Sequence, residues 1–466
     1  VCTLVPTTIS ASADVSSVPN LIKALSDPIW TVRRDAAKAL GDVSSMYNEA
    51  VAGLMNALTD PIAKVRISAA QSLGKLGIRD LAALPALESI AVEDSDTESR
   101  IAAIRALGQM GEGAAPILGR ILLRISPRDE IVVETTLETL VAMGPAARPA
   151  MDSLGTFGRD ADDYRDNDKL ISLTTDALVN IGPEAVGQLI AIVDQCRWTS
   201  TLLTAVEAIG RLGPEVAEVA PYLVQRFDKY TWTEGSNIVL RLSASLYSMG
   251  SGAFPALIEG LVDDSWEVRA GCASVLARFG SQVPSSAIPA LAELTLDTSD
   301  DCRAAAARAL GSMGSTAAPA ASALVELLSD DDTWSEALRA LEAIGSPAIG
   351  PIRTGISHDD VRVRYACGQL LWMIEENPEG MPQTKEGLTL DRERRLSALS
   401  VLASMGPAAA SAKSELRDVL ANPRVWEEER MLAAETLESI GEPAARELAV
   451  GLADDSNDVR RVAERS

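Results

Sequence analysis

Apolar and polar positions recur along this chain in a unit of roughly 34 residues, the kind of internal period that marks a repeat architecture. The clearest polar marker is a turn that opens with Asp and closes with Val-Arg. It occurs as Asp27-Pro-Ile-Trp-Thr-Val-Arg33, Asp60-Pro-Ile-Ala-Lys-Val-Arg66, Asp263-Asp-Ser-Trp-Glu-Val-Arg269 and Asp454-Asp-Ser-Asn-Asp-Val-Arg460. A unit this short cannot bury an apolar face alone, so the pattern predicts repeats that stack on their neighbours.

Each unit is predicted to contain two helices, A and B. Helix A often has a proline in its first turn, where the missing N–H would be unpaired anyway: Pro85, Pro116, Pro149, Pro221, Pro255, Pro289 and Pro319. Helix B starts near the Val-Arg pair, and Asp, Ser and Thr in the preceding turn can cap its free N–H groups. It ends in a Leu-Gly-x-Met-Gly type sequence, whose last Gly is expected to adopt the left-handed conformation.

The closing glycines divide the chain into about fourteen repeats. Residues 1–17 are predicted to be an irregular N-terminal segment, and residues 18–374 a continuous array. Residues 375–390 are predicted to be an irregular linker or a degenerate repeat. Residues 391–466 hold the C-terminal repeats, of which the last is incomplete.

The Pro-initiated A helix, the Asp-x-x-x-x-Val-Arg turn, the Ala-rich B helix and the Gly-x-Met-Gly end resemble HEAT repeats. The likeness covers residues 18–466 and is greatest to the short bacterial type, which also occurs in phycobilin-lyase-like proteins. It implies a bacterial all-α protein, an α-solenoid with a right-handed superhelical path and B helices on the inner, concave side. It also implies a non-enzymatic scaffold or adaptor that binds a protein partner through that surface.

Charge and hydropathy narrow the choice of partners. The chain has 66 acidic and 42 basic residues and a net charge of −24, which repels the phosphate backbone of a nucleic acid. Its apolar runs fall short of the ~18 residues of a membrane span, so membrane insertion is not predicted. The cytoplasm is favoured. Export stays open, because Ala11-Ser-Ala13 has the small-residue form of a signal-peptidase site and no Met precedes Val1.

An Asp and an Arg six residues apart recur through the array, and we interpret them as a structural ladder rather than as catalytic groups. Each Arg fork is expected to reach acceptors in the turn of its own or the neighbouring repeat. The ladder consists of Asp27 and Arg33, Asp60 and Arg66, Asp94 and Arg100, Asp263 and Arg269, and Asp297 and Arg303. Glu130 and Glu336 lie at or beside the corresponding place, where the ladder is expected to be interrupted.

A second column, the B-helix stripe, lies two residues before the closing Leu or Ile of each B helix. It is about 200° around the helix from that core residue and is therefore expected to face outward. It contains Lys38, Gln71, Arg105, Glu138, Asp176, Glu207, Ala244, Ser274, Arg308, Arg339, Gln369, Ser400 and Glu435. A partner could recognise the stripe by charge complementarity, although a merely solvated helix face would contain the same residue types.

Tryptophans form a third group of candidates. Trp198, Trp232 and Trp266 fall in or beside the A–B turns of consecutive repeats. They could form an aromatic rim that docks a partner, because Trp is favoured at binding hot spots. The alternative is that each indole covers the edge of its own helix pair.

Residues for chemistry are few. The acidic loop 160–168 could bind calcium, but it lacks the Gly and the terminal Glu of an EF-hand loop, and a flexible charged loop is favoured. The sole histidine, His358, occupies the turn position of a ladder Asp, and Cys272 and Cys367 stand where other repeats have Ala. We therefore predict no enzyme activity, metal or cofactor. The alternative functions are self-assembly into a larger complex or a phycobilin-lyase-like enzyme.

Overall fold

A computed structural model of the chain describes residues 18–43, 46–77, 82–126, 129–161, 168–229, 237–441 and 444–465. The predicted irregular segment 1–17 lies outside these ranges. All regular secondary structure of the described residues is helical, so the predicted all-α class is confirmed. The chain divides into two compact units, Val1–Val216 and Ala217–Ser466.

The first unit contains helices α1 to α12, in which odd numbers are A helices and even numbers are B helices. They are α1 (Val18–Ala24), α2 (Trp30–Leu40), α3 (Tyr47–Ala57), α4 (Ala63–Leu76), α5 (Ala83–Glu93), α6 (Thr97–Gln109), α7 (Ala115–Arg124), α8 (Glu130–Met143), α9 (Met151–Ala161), α10 (Asp168–Ile181), α11 (Val186–Gln195) and α12 (Thr199–Leu212).

The second unit continues the alternation. Its helices are α13 (Ala220–Val224), α14 (Asn237–Ser248), α15 (Phe254–Gly260), α16 (Trp266–Phe279), α17 (Ile288–Leu294), α18 (Asp300–Ser312), α19 (Ala321–Leu327), α20 (Trp334–Ile344), α21 (Ile349–Gly355), α22 (Val361–Glu375), α23 (Met381–Thr384), α24 (Arg392–Met405), α25 (Lys413–Leu420), α26 (Glu427–Ile440), α27 (Ala445–Leu448) and α28 (Asn457–Glu464). The described residues thus form six helix pairs in the first unit and eight in the second.

Short 3₁₀ helices join many of these elements. They are Glu112–Ala114, Gly144–Ala150, Pro183–Ala185, Gly213–Val219, Gln225–Lys229, Gly250–Ala253, Gly280–Gln282, Ser285–Ala287, Gly314–Ala320, Ser346–Ala348, Pro378–Gly380, Lys385–Thr389, Gly406–Ala412 and Ala449–Ala453. Most lie between a B helix and the next A helix, where the Gly-Pro sequences end one helix and start the following one.

Each unit is a two-layer stack. From α1 to α26 each A helix packs on the B helix of its pair, and most successive helices of one type within a unit also contact each other; α27 packs on α25 and α26. In the first unit the B helices contact one another more extensively than the A helices do. The closing leucines, including Leu40, Leu73, Leu107 and Leu140, are buried between the layers. This is the stacking of an α-solenoid.

The closing glycine has positive φ at every one of the eleven positions from Gly77 to Gly441 where a glycine ends a B helix. At Gly77 φ is 72° and ψ is −173°. The sign of φ is as expected, but ψ is extended instead of left-handed helical. This region of backbone conformation is essentially restricted to glycine, so the closing position requires glycine even where a side chain would have space.

The other glycine of the closing sequence lies against the next B helix. A Cβ atom built on Gly74 would lie 2.9 Å from Ala106 Cα, and one built on Gly311 would lie 2.9 Å from Ala340 Cα. Backbones this close leave no room for a side chain. This glycine therefore sets how closely α4 approaches α6 and how closely α18 approaches α20.

Residues 375–390, predicted to be an irregular linker or a degenerate repeat, are largely helical. Pro378–Gly380, α23 and Lys385–Thr389 all pack against α22, and Lys385–Thr389 also packs against α24. The approach is close, since a Cβ on Gly380 would lie 2.5 Å from Gly368 Cα. A short A-type segment therefore stands between two B helices at this point of the second unit.

Candidate functional site

The ladder arginines connect the turns of consecutive repeats. Arg66 Nε donates to Asp94 Oδ2 (2.6 Å) and its Nη2 donates to Asp94 Oδ1 (2.7 Å), while Nη1 donates to the carbonyl oxygen of Asp60 (2.8 Å). The same three bonds recur from Arg33 to Asp60 and from Arg269 to Asp297. Each guanidinium thus holds its own turn by a carbonyl and the next turn by a carboxylate.

Each ladder carboxylate also shapes its own turn. Asp60 Oδ1 accepts the N–H of Ile62 (2.9 Å), and Asp94 Oδ1 accepts the N–H of Asp96 (2.9 Å). The Asp therefore links the preceding repeat to the local turn geometry that starts helix B. The bidentate partner of an Arg is consequently not the Asp six residues before it, but the Asp of the following repeat.

Two ladder arginines bond differently. Arg100 donates from Nε to the carbonyl of Ala91 (2.9 Å) and makes a single bond to Asp129 (3.1 Å). Arg303 contacts both Asp300 (2.5 Å) and Asp330 (2.6 Å). Neither forms the parallel fork, which is the geometry that gives an Arg–carboxylate pair its directional strength.

Sequence reasoning missed part of the same bonding pattern. Arg430 donates from Nε and Nη2 to Asp454 (2.8 and 3.0 Å), Arg364 bonds Glu386, and Arg395 bonds the buried Glu429. A usable signal was present, because Arg395 and Arg430 each precede a closing glycine by the same eleven residues as Arg66. Neither Arg395 nor Arg430 has an Asp six residues before it, which is the spacing that marks the predicted ladder.

Closing-glycine spacing also identifies what replaces Arg near Glu130 and Glu336. The ladder positions there are Val133 and Trp334, both buried. The guanidinium of the buried Arg394 lies 4.9 Å from the Trp334 ring centroid, and its Nη1 pairs with Asp391 at 2.6 Å. At this repeat a cation lies over an aromatic ring at the ladder position, and Arg394 Nη2 also pairs with Asp331 of the same turn at 2.9 Å.

His358 acts as a ladder Asp in the local turn. Its Nδ1 accepts the N–H of Asp360 (3.0 Å), the bond that Asp Oδ1 accepts elsewhere, and its carbonyl accepts from Arg364 Nη1 (2.9 Å). Nε2 lies 3.5 Å from Glu326 Oε2. The sole histidine therefore has a structural role in its turn.

The ladder lowers the pKa of its carboxyl groups. At Asp60, Asp94 and Asp297 burial acts to raise the pKa. The hydrogen bonds donated by Arg33, Arg66 and Arg269 and by the turn N–H outweigh it, so the pKa falls below its ordinary value. At Asp454 the bond from Arg430 is the largest influence and acts in the same direction.

We expect these shifts to make the array acid-sensitive. A carboxyl group whose folded pKa is depressed contributes stability above its unfolded pKa, about 3.9 for Asp, and loses it as pH falls through the folded value. The urea midpoint, measured by far-UV circular dichroism, should therefore decrease from about pH 4 downward. Asp94→Asn should flatten that dependence, and an unchanged slope in this variant would contradict the assignment.

The B-helix stripe is exposed along most of its length. Lys38, Gln71, Arg105, Glu138, Glu207, Ala244, Arg308, Arg339, Ser400 and Glu435 are exposed, and Asp176 and Ser274 are half-buried. Gln369 differs, because it is buried and its Nε2 donates to Ser397 Oγ (2.8 Å). The outward direction that helical periodicity predicts therefore does not extend to α22.

The charged residues of the stripe differ in whether a neighbouring side chain forms an ion pair with them. Asp176 pairs with Arg211, and Arg339 pairs with Glu336 (2.8 Å). Lys38, Arg105 and Arg308, by contrast, have no ion pair with any residue in the described ranges. In a chain of net charge −24 these three exposed cations are the stripe members that remain available for an external carboxylate.

Two grooves adjoin the stripe in the first unit. The α6–α8 groove has a volume of about 400 Å³ and includes Arg105, Gln109, Thr135, Glu138, Thr139 and Met143 among its lining residues. The α4–α6 groove has a volume of about 300 Å³ and includes Gln71, Lys75, Glu98, Ile101, Arg105 and Gln109. Arg105 and Gln109 belong to both, so the two depressions meet at α6 and have three stripe residues along them.

The tryptophans differ in their environments. Trp198, at the start of α12, is 53% exposed, and Trp266 is the half-buried first residue of α16. Trp232 lies outside the described residues. Trp30 and Trp426 have basic groups over their rings, with Arg34 at 5.4 Å and Arg392 at 5.3 Å. Trp30 thus contacts a side chain of its own repeat, and Trp426 contacts one of the preceding repeat.

Chemistry-bearing groups do not assemble in the described parts of the chain. There, no group of three or more His, Cys, Asp or Glu side chains is arranged to hold a metal ion, and residues 162–167 of the candidate calcium loop lie outside the description. Cys272 and Cys367 are buried; burial raises the pKa of both thiols, that of Cys367 to about 12. They therefore remain protonated at neutral pH, unlike reactive cysteines.

Across the described helices, none is both long and apolar enough to cross a membrane.

The contacts described above define the class of this protein. It is a helical repeat array in which stacked helix pairs are connected by an Arg–carboxylate ladder. Residues 7–74, 51–141 and 254–335 match the family described as HEAT repeats. These regions of the chain are HEAT repeats, as the turn and closing sequences predict.

The likeness of the chain to solved structures is low in both sequence identity and TM-score. An engineered protein is 20% identical, with a TM-score of 0.32 over 77% of this chain and 99% of its own. The karyopherin Kap121p is 12% identical, with a TM-score of 0.44, and Kap121p bound to the SUMO protease Ulp1p is 14% identical, also at 0.44; each alignment covers 97% of this chain. The chain spans about 61% of the length of Kap121p. No curated protein matches the chain in sequence.

Proposed function

We propose that this protein is a non-enzymatic scaffold that binds a protein partner along its B-helix stripe. The observation that carries the proposal is the set of exposed stripe cations, Lys38, Arg105 and Arg308, without ion pairs to the described residues. Within each unit, solenoid stacking places equivalent positions of successive repeats in a row, with Lys38 and Arg105 in the first unit and Arg308 in the second. Such a row can bind a partner whose charges are complementary to those of the row and follow in the same order.

The ladder residues are proposed to act only in stacking. Their side chains are largely buried and their charges are met by the next turn, as with Arg66 and Asp94. The exposed Trp198 and the half-buried Trp266 are proposed as further contact residues, each within its own unit, since Trp is a frequent binding anchor.

Site-specific cross-linking tests the proposal. A photoreactive amino acid placed at Gln71 or Ser400, on exposed stripe positions, should cross-link another protein in cells of the source organism. The matched control is Asn56, an exposed residue of the A helix α3. Reversing four stripe cations together (Lys38→Glu, Arg105→Glu, Arg308→Glu and Arg339→Glu) should reduce the captured band. Equal capture from Asn56, or capture unaffected by the reversals, would refute binding at the stripe.

Light scattering separates this function from self-assembly. A scaffold for other proteins should retain the mass of one chain, 49.2 kDa, across a wide concentration range. Mass that rises with concentration, together with stripe cross-links only between copies of this chain, would replace the proposed function with the assembly alternative.

A further inference from the structure

The α2, α4, α6 and α8 helices present four stripe residues in one register: Lys38, Gln71, Arg105 and Glu138. Each lies two residues before a buried closing leucine, so the four project at equivalent positions of successive helices. Their chemical order is cation, amide, cation, anion. We infer that this row is a binding site for an extended peptide segment that carries acidic, polar, acidic and basic side chains at intervals of three residues.

The charged side chains of the row support the inference, because a bound peptide can pair with them. Lys38 and Arg105 have no ion pair among the described residues, although acidic side chains are abundant in this chain. Glu138 is exposed, and the nearby Lys169 donates its hydrogen bond to Glu134 (2.6 Å) instead. The row therefore offers two cations and one anion whose charges can be complemented from outside.

The grooves support it as well. Arg105 stands where the α4–α6 groove and the α6–α8 groove meet, between Gln71 and Glu138. Both grooves also contain Gln109, whose carboxamide can donate to and accept from a peptide backbone. A segment crossing α6 can thus place side chains in two adjoining depressions and its main chain over an amide.

The distance between neighbouring B helices indicates which backbone conformation the bound peptide segment adopts. Packed helices are about 8–10 Å apart. A polyproline II segment rises about 3.1 Å per residue with three residues per turn, so residues i and i+3 face one way at about 9.3 Å. A β-strand repeats its facing side chains at about 6.6 Å, and a helical ligand repeats every seventh residue at about 10.5 Å. The three-residue period matches best.

The inference rests on the proposed function and adds the nature of the partner segment. It predicts the motif Glu-x-x-Gln-x-x-Glu-x-x-Lys, or its equivalent with Asp and Arg, read opposite Lys38, Gln71, Arg105 and Glu138 in turn. A ten-residue segment of this kind spans about 28 Å in polyproline II geometry, the distance across four helices.

Fluorescence anisotropy with three labelled peptides tests the motif on the full chain. One peptide has this three-residue spacing with Pro and Ala between the motif residues, one is a scramble of it, and one has the same charges spaced by seven residues. Only the first should bind measurably, and its affinity should fall as salt is added. Equal binding of the scramble, or stronger binding of the seven-residue peptide, would overturn the inference.

Charge exchange assigns the register. Arg105→Glu should weaken binding roughly tenfold or more, because an attraction becomes a repulsion, and replacing the second acidic residue of the peptide with Lys should restore it. Lys23→Glu, an equal charge reversal on the exposed face of the A helix α1, should change little. If both reversals weaken binding equally, the peptide does not bind at the row that contains Arg105. Peptides that fail while stripe cross-links to a partner persist would sink this inference alone and leave the proposed function intact.

Discussion

Replacing Arg66 with Met is expected to lower the free energy of unfolding by about 2 to 3 kcal/mol, toward the cost of leaving one member of a buried ion pair alone. The side chain of Asp94 is only 4% exposed and accepts two hydrogen bonds from this guanidinium. Without Arg66, its charge would keep one local bond, from the N–H of Asp96. Methionine keeps most of the apolar stem, so the loss reports on the ion pair.

Urea unfolding followed by circular dichroism measures this effect, and two variants serve as controls. Arg34→Met removes a pair between the half-exposed side chains of Arg34 and Asp35 together with the contact of Arg34 with the Trp30 ring, and should cost about 1 kcal/mol or less. Arg66→Met combined with Asp94→Asn should be more stable than Arg66→Met alone, because no charge is left unpaired. If Arg66→Met were no more costly than Arg34→Met, the ladder would contribute nothing to stacking.

Replacing Gly311 with Leu is expected to destabilise the second unit by about 2 to 3 kcal/mol, the upper range for overpacking a filled core. The first added atom would lie 2.9 Å from Ala340 Cα and 3.1 Å from Ala340 Cβ. Backbone cannot rotate away as a flexible side chain can, so α18 and α20 must separate. Separation removes contacts along the whole pair of helices, because the two pack side by side.

Thermal and urea unfolding provide the measurement for Gly311→Leu. The neighbouring exposed Ser312 supplies the control: Ser312→Leu adds the same side chain to the same helix without meeting the next one. It should alter stability by less than about 0.5 kcal/mol. Gly311→Ala should fall between the two. Equal stability of the Gly311 and Ser312 variants would show that the close approach does not limit packing.

The sequence was sufficient for the repeat and for its local structure. Helix ends follow from short-range rules: Asp in the turn satisfies nearby N–H groups, proline suits a first turn, and a closing glycine permits positive φ. Each rule involves atoms a few residues apart, so residues such as Asp60 and Gly77 can be assigned from spacing alone. Stacking follows too, because one helix pair has too little apolar surface to be stable by itself.

The candidate site was predictable only in part. Helical periodicity places Lys38, Arg105 and Glu138 on the outer face of their helices. Which members stay available depends on neighbours that are distant in sequence. Asp176 forms an ion pair with Arg211, whereas Arg105 forms no ion pair with a described residue. Likewise Gln369, at the same helical position, is buried and bonded to Ser397. No local pattern distinguishes these three cases.

The sequence by itself determined the all-α HEAT-repeat architecture, the two-helix unit and the residue types of the ladder, since these depend on periodicity and on bonds within one turn. Only the tertiary structure decided that Arg66 forks to Asp94 of the next repeat instead of Asp60 of its own, and that Gly311 marks a backbone contact. It alone brought Arg105 and Gln109 into two adjoining grooves. These features depend on the distance between neighbouring helices, which packing sets.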